Sequence, residues 1–290
     1  MNGFLVIDKP GGITSRDVVN RVQKWFPKKT KIGHTGTLDP LATGVLVICI
    51  GAATRLADYV QRMSKSYTSR FRLGATSTTD DADGEITENP IPCPPTREQI
   101  ENELESFIGT IEQVPPAYSA LKVEGQRAHE IARRGDEVKL GARPVRIDAI
   151  RVRAYEWPHL DVEVDCGKGT YIRSIARDLG TKLGCGGMVQ TLRRTRIGPF
   201  TADQGIGVET HTSNMKLLPL TAALPEMPRV QIGEEAEKRL RQGQGISSPD
   251  ASHLRDNPSE ELVILNEMGD LIGIGEVRQG LIRPTLVINS

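Results

Sequence analysis

One carboxylate stands out in this chain by its neighbours. Asp39 lies in Gly33-His34-Thr35-Gly36-Thr37-Leu38-Asp39-Pro40-Leu41-Ala42-Thr43-Gly44-Val45-Leu46, between three glycines and a proline and just ahead of the apolar run Val45–Ile50. Glycines admit positive φ and close approach of backbone or ligand. Pro40 fixes its own φ and drives Asp39 toward extended geometry. The carboxylate is thereby held on a shaped, rigid loop that runs into a buried strand. Asp in a loop is ordinarily a turn former or a cap. The glycine density here exceeds the needs of a turn, so the loop reads as functional.

Other chemistries find little support. There is no P-loop, because the glycine-rich loop lacks the GK[ST] ending. The five histidines (34, 129, 159, 211 and 253) never pair at i, i+4. The alternating acids of Thr78-Thr79-Asp80-Asp81-Ala82-Asp83-Gly84-Glu85 lack the spacing and terminal Glu of an EF-hand. The four cysteines (49, 93, 166, 185) show no CxxC spacing and read as reduced thiols, neither a disulfide framework nor a zinc site. No cofactor and no metal are expected. Arginine is the natural partner for such an Asp, since its planar fork gives paired hydrogen bonds to a carboxylate. Tyrosine offers a stacking face with a polar tip, suited to an unstacked base.

The elements that must position these groups follow from periodicity. Phe4–Ile7 reads as a short buried strand. A helix follows with Thr14 or Ser15 as N-cap and Val18, Val19, Val22, Trp25 and Phe26 on one face. Strands are expected at 45–50, 65–73, 145–155 and 160–166, with a helix over 53–62 and another over 171–184 that buries Ile172, Ile175, Ala176, Leu179 and Leu183. The Pro-rich stretch 89–95 reads as a boundary. Beyond it, Thr96 and Gln99 form a capping box before a helix with Ile100, Leu104, Phe107 and Ile108 on one face. From Gln113 to Arg146 the chain is turn-rich and basic, at Lys122, Arg127, Arg133, Arg134, Lys139, Arg143 and Arg146, and about 93–143 reads as a mobile insertion of its own. A second break at 219–228 precedes a short helix at 234–242 and strands near 261–266, 271–278 and 284–288.

Net charge is zero, yet its distribution is uneven. Residues 1–79 carry 12 Lys/Arg against 4 Asp/Glu, residues 80–112 carry 10 acidic against 1 basic, and residues 168–196 carry 7 basic against 1 acidic. Such segregation leaves a basic face on a neutral protein, as phosphate binding requires. The longest uncharged stretch, Pro40–Thr54, is too short to span a bilayer. The N-terminal stretch lacks the basic and apolar regions of a signal peptide. No membrane association and a cytoplasmic location are expected.

The motif GHTGTLDPLATGVL resembles the catalytic motif of the TruB family of tRNA pseudouridine synthases, in which the Asp is the nucleophile. The resemblance runs in order along nearly the whole chain. Asp8-Lys9-Pro10 with Gly12 and Ser15 resembles the N-terminal motif. Lys65-Ser66-Tyr67, with Arg72-Leu73-Gly74 and Asp81-Ala82-Asp83-Gly84, is similar to the second. Pro115-Pro116-Ala117-Tyr118-Ser119-Ala120-Leu121-Lys122 looks like the insertion's signature. Gly169-Thr170-Tyr171-Ile172-Arg173-Ser174 and Leu192-Arg193-Arg194-Thr195 with Gly198-Pro199-Phe200 complete the set, whereas the C-terminal part matches loosely. Singly, Tyr67, Tyr171 and Leu192 would read as core residues, Lys9 and Arg173 as surface cations and His34 as a turn cap; the joint match favours a site.

The resemblance implies an α+β pseudouridine synthase fold with a mixed, largely antiparallel central sheet. It implies a catalytic domain over 1–225 with a thumb-like insertion at about 93–143, and a small β-rich, PUA-like RNA-binding domain over 228–290. The implied reaction converts the T-loop uridine at position 55 of tRNA to pseudouridine after base flipping. Asp39 attacks either C1′ of the ribose or C6 of the base. Arg173 keeps Asp39 ionised and aimed. Tyr67 stacks on the uracil and takes a ribose or C5 proton, and Tyr171 and Leu192 wall the pocket. His34 supports the rearranged T loop, Asp81 lies near the flipped base, and Lys9 joins the substrate-binding set. The implied partner is the tRNA T arm, bound by a monomer without guide RNA, because guide-dependent relatives lack the insertion. A tRNA-folding chaperone role accompanies this reading. Two rivals stay open: a non-catalytic tRNA chaperone on the same scaffold, and a glycosidase-type hydrolase using Asp81 as second carboxylate.

Overall fold

The computed structural model describes residues 1–119, 121–123, 125–134, 136, 138, 140–210, 215–247 and 260–288. Ala120 of the insertion motif, Lys139 of the basic run, and His211 and His253 lie outside the described residues. For Lys122, Arg127, His129 and Arg133 the description is of backbone only.

The chain begins with β1 (Gly3–Lys9), α1 (Ser15–Gln23), β2 (Ile32–Thr35) and β3 (Thr43–Ile50). Thr14 caps α1 in a capping box with Asp17, which leaves Ser15, the other sequence choice for the cap, free to turn inward. The helix stops at Gln23, so Trp25 and Phe26 pack from the following turn rather than from the helical face. A 3-10 turn over 51–56 leads into α2 (Ala57–Arg62) and the long strand β4 (Lys65–Leu73). The short hairpin β5 (Ala75–Ser77) and β6 (Ile86–Glu88) brackets the acidic turn. Next come α3 (Arg97–Glu105), with the expected Thr96–Gln99 capping box, and β7 (Gly109–Gln113). Ile100, Leu104 and Phe107 are buried, but Ile108 is exposed because α3 has already ended at Glu105.

β7 pairs antiparallel with β10 (Arg143–Glu156) as the edge of the main sheet. The stretch that leaves the sheet therefore runs over 114–142; it holds β8 (Lys122–Val123), β9 (Gln126–Arg127) and α4 (Ala128–Arg133). β11 (His159–Cys166), α5 (Ile172–Lys182), β12 (Gly187–Ile197), β13 (Phe200–Thr201) and β14 (Ile206–Gly207) complete this part. The sheet order is β14-β1-β3-β12-β4-β11-β10-β7, with β2 on β3 and β13 on β12. Most neighbours are antiparallel; β1–β14 and β3–β12 are parallel. The α+β fold and the mixed, largely antiparallel sheet are as the sequence led one to expect.

Strands β1 and β3 are continuous apolar runs because both their faces are buried. Leu5, Ile7, Leu46, Ile48 and Ile50 pack toward α1, α3 and α5, while Phe4, Val6, Val45, Val47 and Cys49 pack on the opposite side. β4 instead alternates: Lys65, Tyr67, Ser69, Phe71 and Leu73 are buried and the residues between them are half-buried or exposed. Sequence patterning misses β12, the strand between β3 and β4. Its Arg193, Arg194 and Arg196 break any apolar alternation, yet Arg194 is 1% exposed. A central strand with a buried guanidinium looks like a loop to any hydrophobicity reading.

The C-terminal residues form a second sheet, β15-β16-β17-β18, from β15 (Arg229–Gln231), β16 (Glu261–Leu265), β17 (Leu271–Arg278) and β18 (Leu281–Val287), with α6 (Glu234–Arg241) beside it. It has its own core around Leu240, Leu262 and Ile282. Val263, Leu271, Ile274 and Ile288 join the second core of the first part, beside Phe4 and Phe200. Among the described residues no helix is long and apolar enough to cross a membrane.

Candidate active site

The Asp39 loop is held by the segment that precedes it in sequence. Ser15 Oγ donates to the Leu38 carbonyl at 3.0 Å and accepts from the Leu38 amide at 2.9 Å. The Gly12 amide donates to the Pro40 carbonyl at 2.8 Å. Lys9 Nζ, fully buried, donates to the same carbonyl at 3.2 Å and to that of Pro10 at 2.9 Å. Burial pulls the Lys9 amine down to about 8, with the Asp39 carboxylate opposing. Lys9 is therefore a prop behind the loop and does not line the cleft. Gly44 is required sterically: its φ is +96°, and a Cβ there would lie 2.1 Å from the Arg194 carbonyl oxygen where β3 and β12 run side by side.

Asp39 faces Arg173, the second residue of α5. Arg173 Nη2 lies 3.0 Å from Asp39 Oδ2, and Nη1 lies 3.1 Å from Asp81 Oδ2. The same guanidinium donates to the carbonyls of Thr79 (2.8 Å) and Tyr118 (2.9 Å), which satisfies a buried cation from four sides. Asp39 keeps 35% of its side chain accessible, whereas Arg173 keeps 5% and Asp81 4%. The carboxylate with access to a ligand is thus Asp39. Desolvation raises its pKa, Arg173 opposes the rise, and the nearby Asp81 adds to it. Asp81 sits behind Arg173, its other oxygen accepting from Thr79 Oγ1 at 2.5 Å and from the Asp83 amide at 3.1 Å.

A cleft of about 280 Å³ opens above this pair, lined among others by Leu38, Asp39, Tyr67, Tyr171, Arg173 and Leu192. Tyr67 projects from the middle of β4, and burial raises its phenol pKa; a hydrogen bond from Arg194 works against that rise. The phenol is accordingly protonated at neutral pH. Tyr171 stands at the N-cap of α5, with no cap of its own. Its amide donates to Gln113 Oε1 at 2.8 Å and its carbonyl accepts from Gln113 Nε2 at 3.1 Å. Its phenol, raised by burial, bonds Ser119. Five of the eight sequence-derived site residues therefore meet at one place: Asp39, Tyr67, Tyr171, Arg173 and Leu192. Lys9 and Asp81 stand behind it. His34 lies on β2 opposite Ile48 and outside the cleft lining, its pKa lowered by burial and by Arg194 and Arg16.

Sequence reasoning missed part of the machinery. Arg194 donates to the Val45 carbonyl and to the Gly36 carbonyl, both at 2.8 Å, and so ties the Asp39 loop to the cleft floor. Lys65 lines the same floor, donates to the carbonyls of Gln61 and Met63, and is pulled down to about 8 by burial. Lys168 lines the rim. Besides Arg173, three cations line the cleft that holds this accessible carboxylate, which favours an anionic backbone and a developing negative charge there. An arginine inside a strand carries no pattern that announces burial; its only signal was its place in the Leu192–Thr195 motif.

Residues 24–172 match the model described as TruB family pseudouridylate synthase (N terminal domain), residues 173–216 the tRNA pseudouridylate synthase B C-terminal domain, and residues 228–288 the model described as Pseudouridine synthase II TruB, C-terminal. The chain is 40% identical over 298 residues to tRNA pseudouridine synthase B of Ruegeria sp. (strain TM1040), covering 100% of this chain and 97% of that one. It is 41% identical over 296 residues to the protein of the same name from Ruegeria pomeroyi, covering 99% and 95%. Among solved structures, it is similar in fold to a chain of an H/ACA RNP bound to a substrate RNA containing 2′-deoxyuridine (TM-score 0.73, 21% identity, 99% of this chain and 85% of that chain). A chain of a Cbf5-Nop10-Gar1 complex has the same TM-score at 24% identity, over 99% and 84%.

Proposed function

Because the chain belongs to the TruB family of pseudouridine synthases, isomerases that act on tRNA, we propose that it converts uridine 55 in the tRNA T loop to pseudouridine with Asp39 as nucleophile. The observation that carries this reading is the Asp39–Arg173 pair, 3.0 Å apart at the floor of a cleft walled by Tyr67, Tyr171 and Leu192.

The reaction breaks the bond from N1 to C1′ and makes one from C5 to C1′; C5 loses a proton and N1 gains one. No electrons enter or leave. The target base is stacked inside the folded T arm and must be flipped to reach a cleft of this depth. Asp39 then attacks C1′ or C6, and Arg173 holds the carboxylate ionised against the desolvation that raises its pKa. Tyr67 stacks on the uracil and enters the reaction protonated. It gives that proton to N1, and the resulting phenolate, stabilised by Arg194, takes the proton that C5 loses. Tyr171 and Leu192 exclude water. Lys65, Lys168 and Arg194 draw in the RNA backbone without reading sequence, and loop shape supplies specificity.

A glycosidase-type hydrolase fits less well. That chemistry needs a second carboxylate facing the scissile bond, and both oxygens of Asp81 are engaged behind Arg173. We further propose that residues 1–225 form the catalytic unit and 228–290 an RNA-binding PUA-like module. The enzyme would act in the cytoplasm as a monomer without guide RNA, the arm over 114–142 gripping the T arm. It would also assist tRNA folding independently of Asp39. The test is incubation of an unmodified tRNA transcript with the protein, followed by mapping of pseudouridine. Modification confined to position 55 and lost in Asp39→Asn is expected. Release of free uracil, or no product at that position, would overturn the reading.

A further inference from the structure

Arg177 lies one helical turn beyond Arg173 on α5, on the same face of the helix, and repeats its arrangement. Arg173 spans from the acidic turn, through the Thr79 carbonyl and Asp81, to the Tyr118 carbonyl at the root of the arm. Arg177 spans the same two segments. Its Nη1 donates to Asp80 Oδ2 at 2.8 Å and its Nη2 to the Val114 carbonyl at 2.8 Å; its Nε donates to Asp178 Oδ1. Ser174 adds a third tie, from Oγ to the Val114 carbonyl at 2.8 Å.

Asp80 is an unusual anchor. Its φ is +60°, a left-handed conformation that non-glycine residues seldom adopt. The surroundings hold it there: the Asp80 amide donates to the Ser77 carbonyl at 3.1 Å, and its carbonyl accepts from the Val189 amide on β12 at 3.0 Å. Asp81 follows directly, so the backbone at Asp80 sets where the Asp81 carboxylate meets Arg173. Arg177 and Asp80 do not line the cleft. Three of the four partners of Arg173 therefore sit in segments that Arg177 also fixes.

We propose that the Arg177–Asp80 pair is a positioning clasp for the isomerisation: it registers the acidic turn and the arm root on α5 so that Arg173 stays aimed at Asp39. Neither residue touches the substrate; both act through Arg173. The clasp deepens the function proposed above and rests on it.

The test compares Arg177→Gln, Asp80→Asn, the double variant and Arg177→Lys with the wild type, on a T-arm RNA under single turnover. Tm and Kd are measured alongside. Each single change should slow the chemical step about tenfold, as a misplaced rather than missing group does, while Kd stays within about twofold. The double variant should be no slower than the worse single, the mark of two residues acting as one unit. Arg177→Lys should recover part of the rate, since an ammonium still pairs with Asp80. The acid limb of the rate should move to higher pH. With Arg173 misaligned, Asp39 faces the carboxylates of Asp81 and Asp83 with Lys9 of β1 as the main remaining cation. Variants that fold and keep the wild-type rate and acid limb would overturn the clasp, as would single losses that multiply in the double variant. A wild-type protein that makes no pseudouridine would sink the proposed function itself; an active wild type with equally active variants would sink the clasp alone.

Discussion

The loop that carries Asp39 is bonded along its length to elements before and after it in sequence, through Ser15, Gly12 and Lys9 on one side and Arg194 on the other. The arm over 114–142 is held differently. Its described hydrogen bonds to the rest of the chain lie at its root, through Val114, Tyr118 and Ser119 to Tyr171 and α5, beside the Gln113–Tyr171 bonds at the end of β7. Farther out, the described bonds run within the arm, from Ala128 to Leu121 and from Arg134 to Gln126. Both segments converge on the Arg173 guanidinium. A reacting group gains from over-determined placement, because small misplacements are costly to the chemical step. An RNA-gripping element gains from a fixed hinge and an adjustable end.

The largest effect should come from the loop's own carboxylate. Asp39→Asn is expected to lower the single-turnover rate by at least about 10³-fold, since the substitution keeps shape and removes nucleophilicity. Stability should barely change. A carboxyl raised in the fold adds stability below the unfolded midpoint and loses it as pH rises through the folded one, so at neutral pH the ionised Asp39 contributes none. Arg173 keeps Asp81 as its partner. In the wild type the same raised pKa places the acid limb of the rate above 3.8, the ordinary aspartate value, with activity falling as pH drops through it. A rate flat through that range would deny Asp39 its role.

Ser15→Ala asks whether the loop's rigidity matters to the reaction. The change leaves the buried Leu38 amide and carbonyl without their partner, at a cost of about 1–3 kcal/mol, and should slow chemistry about tenfold with Kd unchanged. A lowered Tm with an unaltered rate would mean that the loop needs no staple, and the contrast with the arm would fail. Replacing residues 122–140 with a short Gly/Ser linker asks the converse. Kd for tRNA should rise about tenfold and its salt dependence flatten, while saturating single-turnover rates hold. A fall in that rate at full saturation would give the arm a chemical role.

What could be read from sequence divides along the same line. Strands β1, β3 and β4 and the helix faces follow from period and capping, because their burial is apolar. Asp39 announces itself by glycines, one of which, Gly44, proves to be a steric requirement of the β3–β12 contact. Arg173, Tyr67, Tyr171 and Leu192 came from a family resemblance, since aromatic and aliphatic residues in a cleft look like core. Strand β12 was hidden because its buried positions include a guanidinium. The resemblance sets Lys9 and Asp81 among the substrate-binding residues, whereas their charges are spent on the Pro10 and Pro40 carbonyls and on Arg173 behind the loop. Gln113, Ser119 and Arg194 act through partners distant in the chain, and nothing local to their sequence marks such pairing.

The smallest expected effect concerns the joint between the two regions. Gln113 is 1% exposed and stands at the end of β7, the last residue before the arm leaves the sheet. Its amide serves both backbone groups of Tyr171, which begins α5 without a side-chain cap. Helix N-termini carry unpaired N–H groups, so Gln113 acts as an external cap that also sets the orientation of Tyr171. Gln113→Ala should cost about 1–2 kcal/mol of stability, in the range of a lost cap, and about threefold in rate as Tyr171 loosens. Gln113→Glu separates the two contributions. Its carboxylate still accepts from the Tyr171 amide and is favoured at a helix N-terminus, so part of the stability should return. The carboxylate cannot donate to the Tyr171 carbonyl, so the rate should stay reduced. If Gln113→Glu restores both, the joint is only a cap; if Gln113→Ala changes neither, the arm root is not fastened through Gln113 and its hold on the cleft runs through Arg173, Ser174 and Arg177.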